Sequence, residues 1–92
     1  MEVVFTEMAV NSLLEMESLG VENDSEEQVA VFTDGLVDRN FDAISENPER
    51  YRFNAILLDF GIKFQERSDS SYRCLYEVID NKAYVVLILN TK

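Results

Sequence analysis

Histidine is absent from this chain, cysteine and proline occur once each, and glycine three times. Each shortage excludes something. Without histidine the usual general base at neutral pH is missing, and so are Ser–His and Cys–His nucleophile pairs and the commonest metal ligand. A lone cysteine, Cys74, forms no internal disulfide, which fits a reducing compartment and predicts a cytoplasmic protein. Three scattered glycines make no phosphate-cradling loop. The longest apolar run, Ala83 to Leu89, is seven residues, against the roughly 20 needed to cross a bilayer. The Met-Glu start lacks the basic and apolar regions of a signal peptide. The expectation is a protein without cofactor, metal or membrane attachment.

Positive charge is scarce too. Eight Lys and Arg face eighteen Asp and Glu, for a net charge of −10. The imbalance is uneven along the chain. Residues 1–49 hold thirteen carboxylates and one cation, Arg39, for −12, whereas residues 50–92 come to +2. Nucleic acid is repelled by the whole at long range, and an anionic partner would dock on the second half. Acidic helices that keep a small protein soluble account for much of the excess.

What is present is enough for one core. An apolar content of 47% with 11% aromatics argues for a single folded domain spanning residues 1–92. Glu2 to Phe5 reads as a strand, and Thr6 as the cap of a helix whose apolar side carries Met8, Ala9, Leu13 and Met16, ending at Gly20. Ser25 and Gln28 form a capping box opening a second helix, with Val29, Phe32, Leu36, Val37, Phe41, Ala43 and Ile44 on its apolar face. Asn47-Pro48 stops it. The acidic run Glu22-Asn23-Asp24-Ser25-Glu26-Glu27 lacks calcium-loop spacing and is better explained as a helix start. From Phe53 the period changes to two: Ile56, Leu58, Phe60, Ile62 and Phe64 alternate with Asp59, Gly61, Lys63 and Gln65, predicting one long strand with a bend at Gly61. The resulting order is β-α-α-β-β-β, an α+β fold with a helical hairpin on one face of a mostly antiparallel four-stranded sheet.

The final stretch, SSYRCLYEVIDNKAYVVLILNTK, is a hairpin. Tyr72, Cys74, Tyr76 and Val78 fall on one face, and Arg73, Leu75, Glu77 and Ile79 on the other, before the turn formers Asp80-Asn81-Lys82. Cys74 then reads as a small core residue, and Arg73 as a cation on the other face, able to pair with Glu77. The wording YRxxYxVIDxK followed by an apolar strand resembles the last two strands of the RelE/ParE superfamily of bacterial toxins, and the opening VVFTEMAVNSLLEM resembles that family's first strand and helix.

The resemblance implies a toxin-like component of a type II toxin–antitoxin pair, acting on translation or on DNA gyrase. A cognate antitoxin would neutralise it, with homodimerisation as a further association. For a RelE-type, metal-independent mRNA endoribonuclease it implies Arg73 as the catalytic group at the transition-state phosphate, with Lys63, Arg67 and Lys92 binding the RNA backbone. A second strand lysine of that family would fall on Gln65, and its further basic and aromatic groups beyond Lys92; Tyr51 and Tyr84 are the available substitutes. ParE-type members poison gyrase by protein contact and need none of these groups. The remaining alternative is a non-catalytic interaction protein on the same scaffold, presenting an acidic helical face to a basic partner.

Overall fold

The computed structural model describes residues 1–21, 25–69 and 71–90. The 22–24 part of the acidic run, Ser70 and Lys92 lie outside the described residues. In chain order the elements are β1 (Glu2–Phe5), α1 (Glu7–Val21), α2 (Glu26–Glu46), a 3₁₀ turn (Pro48–Arg50), α3 (Ala55–Asp59), β2 (Gln65–Asp69), β3 (Tyr72–Ile79) and β4 (Lys82–Asn90). The sheet runs β1-β4-β3-β2, with β1 parallel to β4 and the other pairs antiparallel. The fold is α+β, with helices packed on a four-stranded mixed sheet.

Local chemistry explains where the helices begin and end. Thr6 Oγ1 accepts from the Ala9 amide at 3.2 Å and donates to the Val85 carbonyl at 2.8 Å, tying the start of α1 to β4. The helix continues one residue past Gly20; the glycine matters instead because a Cβ there would lie 3.1 Å from Val29 Cγ2, where α1 passes α2. The Ser25–Gln28 capping box is formed, and α2 stops at Glu46, just before Asn47-Pro48.

The long strand expected from Phe53 is not formed. In its place Asn54 Oδ1 accepts from the Leu57 amide at 2.9 Å and caps α3, Ala-Ile-Leu-Leu-Asp, before β2 starts at Gln65. The amides of Phe60, Gly61 and Ile62 close back onto Leu57 and Leu58, with Gly61 in the left-handed region at φ 79°. Residues 55–58 are an unbroken apolar run of helix formers, so alternate apolar positions there do not discriminate between strand and helix. Phe53 keeps one isolated bridge, to Gln65.

The core lies between the sheet and the α1–α2 hairpin. Val3, Ala83, Val85, Ile88, Cys74 and Tyr76 meet Ala9, Leu13, Leu36 and Ile44. A bulge makes this pattern. Leu75 pairs with Leu87 but Tyr76 pairs with Val85, so Val86 is the extra residue and both Val85 and Ile88 reach the core. Asp80 and Asn81, at φ 49° and 63°, form the two-residue hairpin turn, and Lys82 already belongs to β4.

Among the described residues the polar side chains of Thr33, Asn40 and Gln65 are buried with this core or beside it. Gln65 Nε2 donates to the carbonyls of Pro48 and Tyr51 at 2.8 and 2.9 Å, and the Tyr76 hydroxyl donates to the same Pro48 carbonyl. These bonds fix the link that carries the chain from α2 to α3. On the neighbouring part of the sheet, the Asp69 carboxylate accepts from Arg39 of α2 and from Arg67 of β2, clamping helix to strand.

Candidate functional site

Sheet register separates the expected cations. Arg67 is opposite Cys74, which is buried under the helices, and its guanidinium reaches Asn40 Oδ1 at 2.9 Å and Asp69 Oδ2 at 3.1 Å. Arg73 is opposite Ser68 and Leu89, one residue out of phase, and so stands on the outer face. The two arginines therefore occupy opposite faces of the sheet and share no surface. Lys63 is exposed in the 62–64 connection before β2, off the sheet altogether. Gln65 points inward, as a structural donor. Of the four residues implied by the resemblance, Arg73 alone is placed on the outer sheet face; Lys92 lies outside the described residues.

Arg73 pairs with Glu66 across the strands, at 3.6 Å from Nη1 to Oε2, rather than with Glu77. The same Glu66 oxygen accepts from Asn54 Nδ2 at 3.2 Å. Asn54 thus caps α3 with its carbonyl oxygen and holds Glu66 with its amide. Sequence reasoning missed both residues. The Asn54-Ala-Ile-Leu wording, a capping side chain ahead of helix formers, was the available signal for one of them. Glu66 acquires its place only from the register of β2 on β3.

Leu75 is buried on this outer face although its neighbours Cys74 and Tyr76 are buried on the other side, and Ile56 and Leu57 of α3 line a groove with it. Between α3, the sheet and the start of α1 runs an open groove of about 660 Å³. Leu75, Leu87 and Leu89 contribute from the sheet, Ile56, Leu57 and Phe64 from the α3 segment, and Met8 from α1. The surroundings remain apolar: Ile56 is 71% and Phe60 77% exposed, and no residue of α3 is buried. Four of the five residues of α3 are apolar, and an exposed apolar patch of this kind marks a contact surface.

The groove offers apolar contacts beside one cation. Arg73 offers a half-exposed guanidinium at the groove's rim, since its cross-strand neighbour Leu89 lines the groove. The nearest carboxylate, Glu66, is engaged by Arg73 and Asn54. Tyr84 shares the outer face with Glu77 and Val4 by register, whereas Tyr51 packs edge-on against Tyr76 in the interior. Cys74 lies on the other face, where burial pushes its thiol up to about 12, against a lesser opposing pull from Arg67. Burial likewise raises the Tyr76 hydroxyl, which is committed to Pro48. Among the described residues no group of three or more Cys, Asp or Glu gathers to hold a metal ion, and no helix is long and apolar enough to cross a membrane. Comparison with protein-family models finds no match, and comparison with curated proteins finds none either.

Proposed function

We propose that the chain is a toxin-like component of a type II toxin–antitoxin pair, with a RelE/ParE-like fold, that acts by protein contact and not by cutting RNA. DNA gyrase is the favoured target class over the ribosome and its mRNA, and a cognate antitoxin segment neutralises the protein by covering the same surface. One observation carries this reading. The outer sheet face joins a continuous apolar groove to a single arginine, while Arg67 is spent on the opposite face and Lys63 stands off the sheet. Phosphate-ester cleavage without metal or histidine requires several cations converging on one phosphate. A groove of leucines requires an apolar segment.

The test is inducible expression in a bacterial host. Wild type, Arg73→Ala and the double variant Ile56→Gln/Leu89→Gln are compared, with mRNA 5′ ends mapped in parallel. All substituted side chains are exposed, so folding is retained. Arrest is expected with wild type and, at higher inducer, with Arg73→Ala, but not with the groove variant, and no new mRNA ends appear. Arrest that disappears with Arg73→Ala alone, together with new mRNA ends, would reinstate the ribonuclease reading.

A second reading has its own observation. Asp34, Asp38, Asp42 and Glu46 follow one another every four residues along the exposed side of α2. Like charges one turn apart disfavour a helix by about 0.2–0.5 kcal/mol per pair. Arg39, the cation of the first 49 residues, is tied to Asp69. A non-catalytic interaction protein that offers this stripe to a basic partner would leave growth unaffected by all three proteins.

A further inference from the structure

We propose that the segment seated in the outer-face groove is acidic: an apolar stretch carrying an aspartate or glutamate whose carboxylate docks on Arg73. The proposal rests on reading the groove as a protein-contact surface and adds the charge of what fills it.

Three arginines of the sheet and α2 can be compared directly. Arg39 donates to Asp69 through Nε at 2.8 Å and Nη2 at 3.3 Å, and Arg67 donates to Asn40 and Asp69 at 2.9 and 3.1 Å. Both are locked by short bonds between the helix layer and the sheet. Arg73 differs. Its ion pair with Glu66 is 3.6 Å long, past hydrogen-bond reach, and its side chain is 48% exposed. Its planar fork is therefore open to a carboxylate that can accept two parallel N–H bonds.

Glu66 does not forbid a second carboxylate. Its Oε2 also accepts from Asn54 Nδ2 at 3.2 Å, so it keeps a donor when Arg73 turns toward an incoming group. Position fixes the partner's pattern. Leu89 is both a wall of the groove and the register partner of Arg73, so an apolar side chain seated on Leu89 places a residue one or two positions away over the guanidinium. Glu77 lies on the far side of Leu75 from Arg73 along β3, Asp59 is the exposed last residue of α3, and Arg52 and Lys63 are exposed in the segments on either side of that helix. A basic segment would meet like charge at the rim. A nucleic-acid strand would find an apolar floor under its phosphates and thirteen carboxylates in the first 49 residues.

A random dodecapeptide display library, panned on the whole chain with Ile56→Gln/Leu89→Gln as counter-selection, tests this. The expected consensus places Asp or Glu at a fixed distance from Leu, Ile, Val or Phe. A labelled consensus peptide, measured by fluorescence anisotropy, should lose roughly 10-fold or more in affinity with Arg73→Gln, and similarly when its acid is changed to the amide. Panning on Arg73→Glu should turn the consensus basic. Groove-dependent binders without acid enrichment, or an unchanged consensus on Arg73→Glu, would overturn the acidic partner and leave the groove standing. Binders indifferent to the groove variant, or none at all, would overturn both readings. Displacement of the peptide by a single-stranded RNA oligonucleotide, lost with Arg73→Gln, would assign Arg73 to phosphate and overturn the proposal.

Discussion

Replacing Gln65 by leucine removes the donor that ties the α2–α3 link to the sheet while keeping most of the volume. Two neutral hydrogen bonds disappear, to the carbonyls of Pro48 and Tyr51. At about 1 kcal/mol each the loss approaches 2 kcal/mol, reduced toward 1 because leucine is at ease in the same surroundings. For a domain of this size that is a fall in Tm of about 4–16 °C. Tyr76→Phe removes one bond and costs about 1 kcal/mol. The shared acceptor makes the pair informative. In either single variant Pro48 retains one donor, and in the double variant it retains neither. The double variant should therefore be worse than the sum of the singles by about 1 kcal/mol. Urea and thermal unfolding followed by circular dichroism give all four corners of the cycle. Additivity within about 0.3 kcal/mol, or a Gln65→Leu protein as stable as wild type, would refute the assignment of Gln65 as a structural pin.

Two further expectations follow from the helix-facing side of the sheet. The hydrogen bonds from Arg39 and then Arg67 hold the Asp69 carboxyl below its ordinary value. With the folded value depressed, its stabilisation is present above the unfolded value of about 3.9 and is lost as pH falls through the folded one. Urea midpoints of wild type and Asp69→Asn should differ at pH 6 and draw together as pH falls below the unfolded carboxylate value; a gap independent of pH would contradict the ion pairing. The Cys74 thiol, raised to about 12 by burial, should resist Ellman's reagent at pH 8 until the chain unfolds, and full labelling of native protein within seconds would contradict its burial.

The elements that read correctly from sequence are those whose signals are local. The Ser25–Gln28 box and the Asn47-Pro48 stop act within four residues and are found where the side-chain chemistry places them, as is the turn read at Asp80-Asn81-Lys82, except that Lys82 already belongs to β4. The stretch 53–64 failed for a definite reason. Its apolar residues satisfy both periods, and the choice falls to the Asn54 cap and the left-handed Gly61, which a count of alternate positions ignores. The site was less legible than the fold. Arg73 reads from sequence as an outer-face cation because β3 alternates simply. That Arg67 faces the other way depends on its pairing with Cys74, and that Glu66 meets Arg73 depends on the same register, which is a property of two strands and not of either one. The groove depends on where the α3 segment sits against the sheet, a tertiary arrangement held by hydrogen bonds of Gln65 and Asn54 that span twelve to seventeen residues.

The strand order carries a consequence for biosynthesis. β4 lies between β1 and β3, so the second strand from one edge is the last of the described elements to leave the ribosome. Until it arrives, β1 has no neighbour, and its parallel partner is some eighty positions further along the chain. The helical hairpin can assemble early from local contacts, but sheet closure waits on a long-range event, the slow kind in small domains. The groove waits with it, because Leu87 and Leu89 belong to that late strand. A nascent or truncated chain lacking β4 therefore presents acidic helices and no docking face. The apolar groove is complete only after translation has passed this strand.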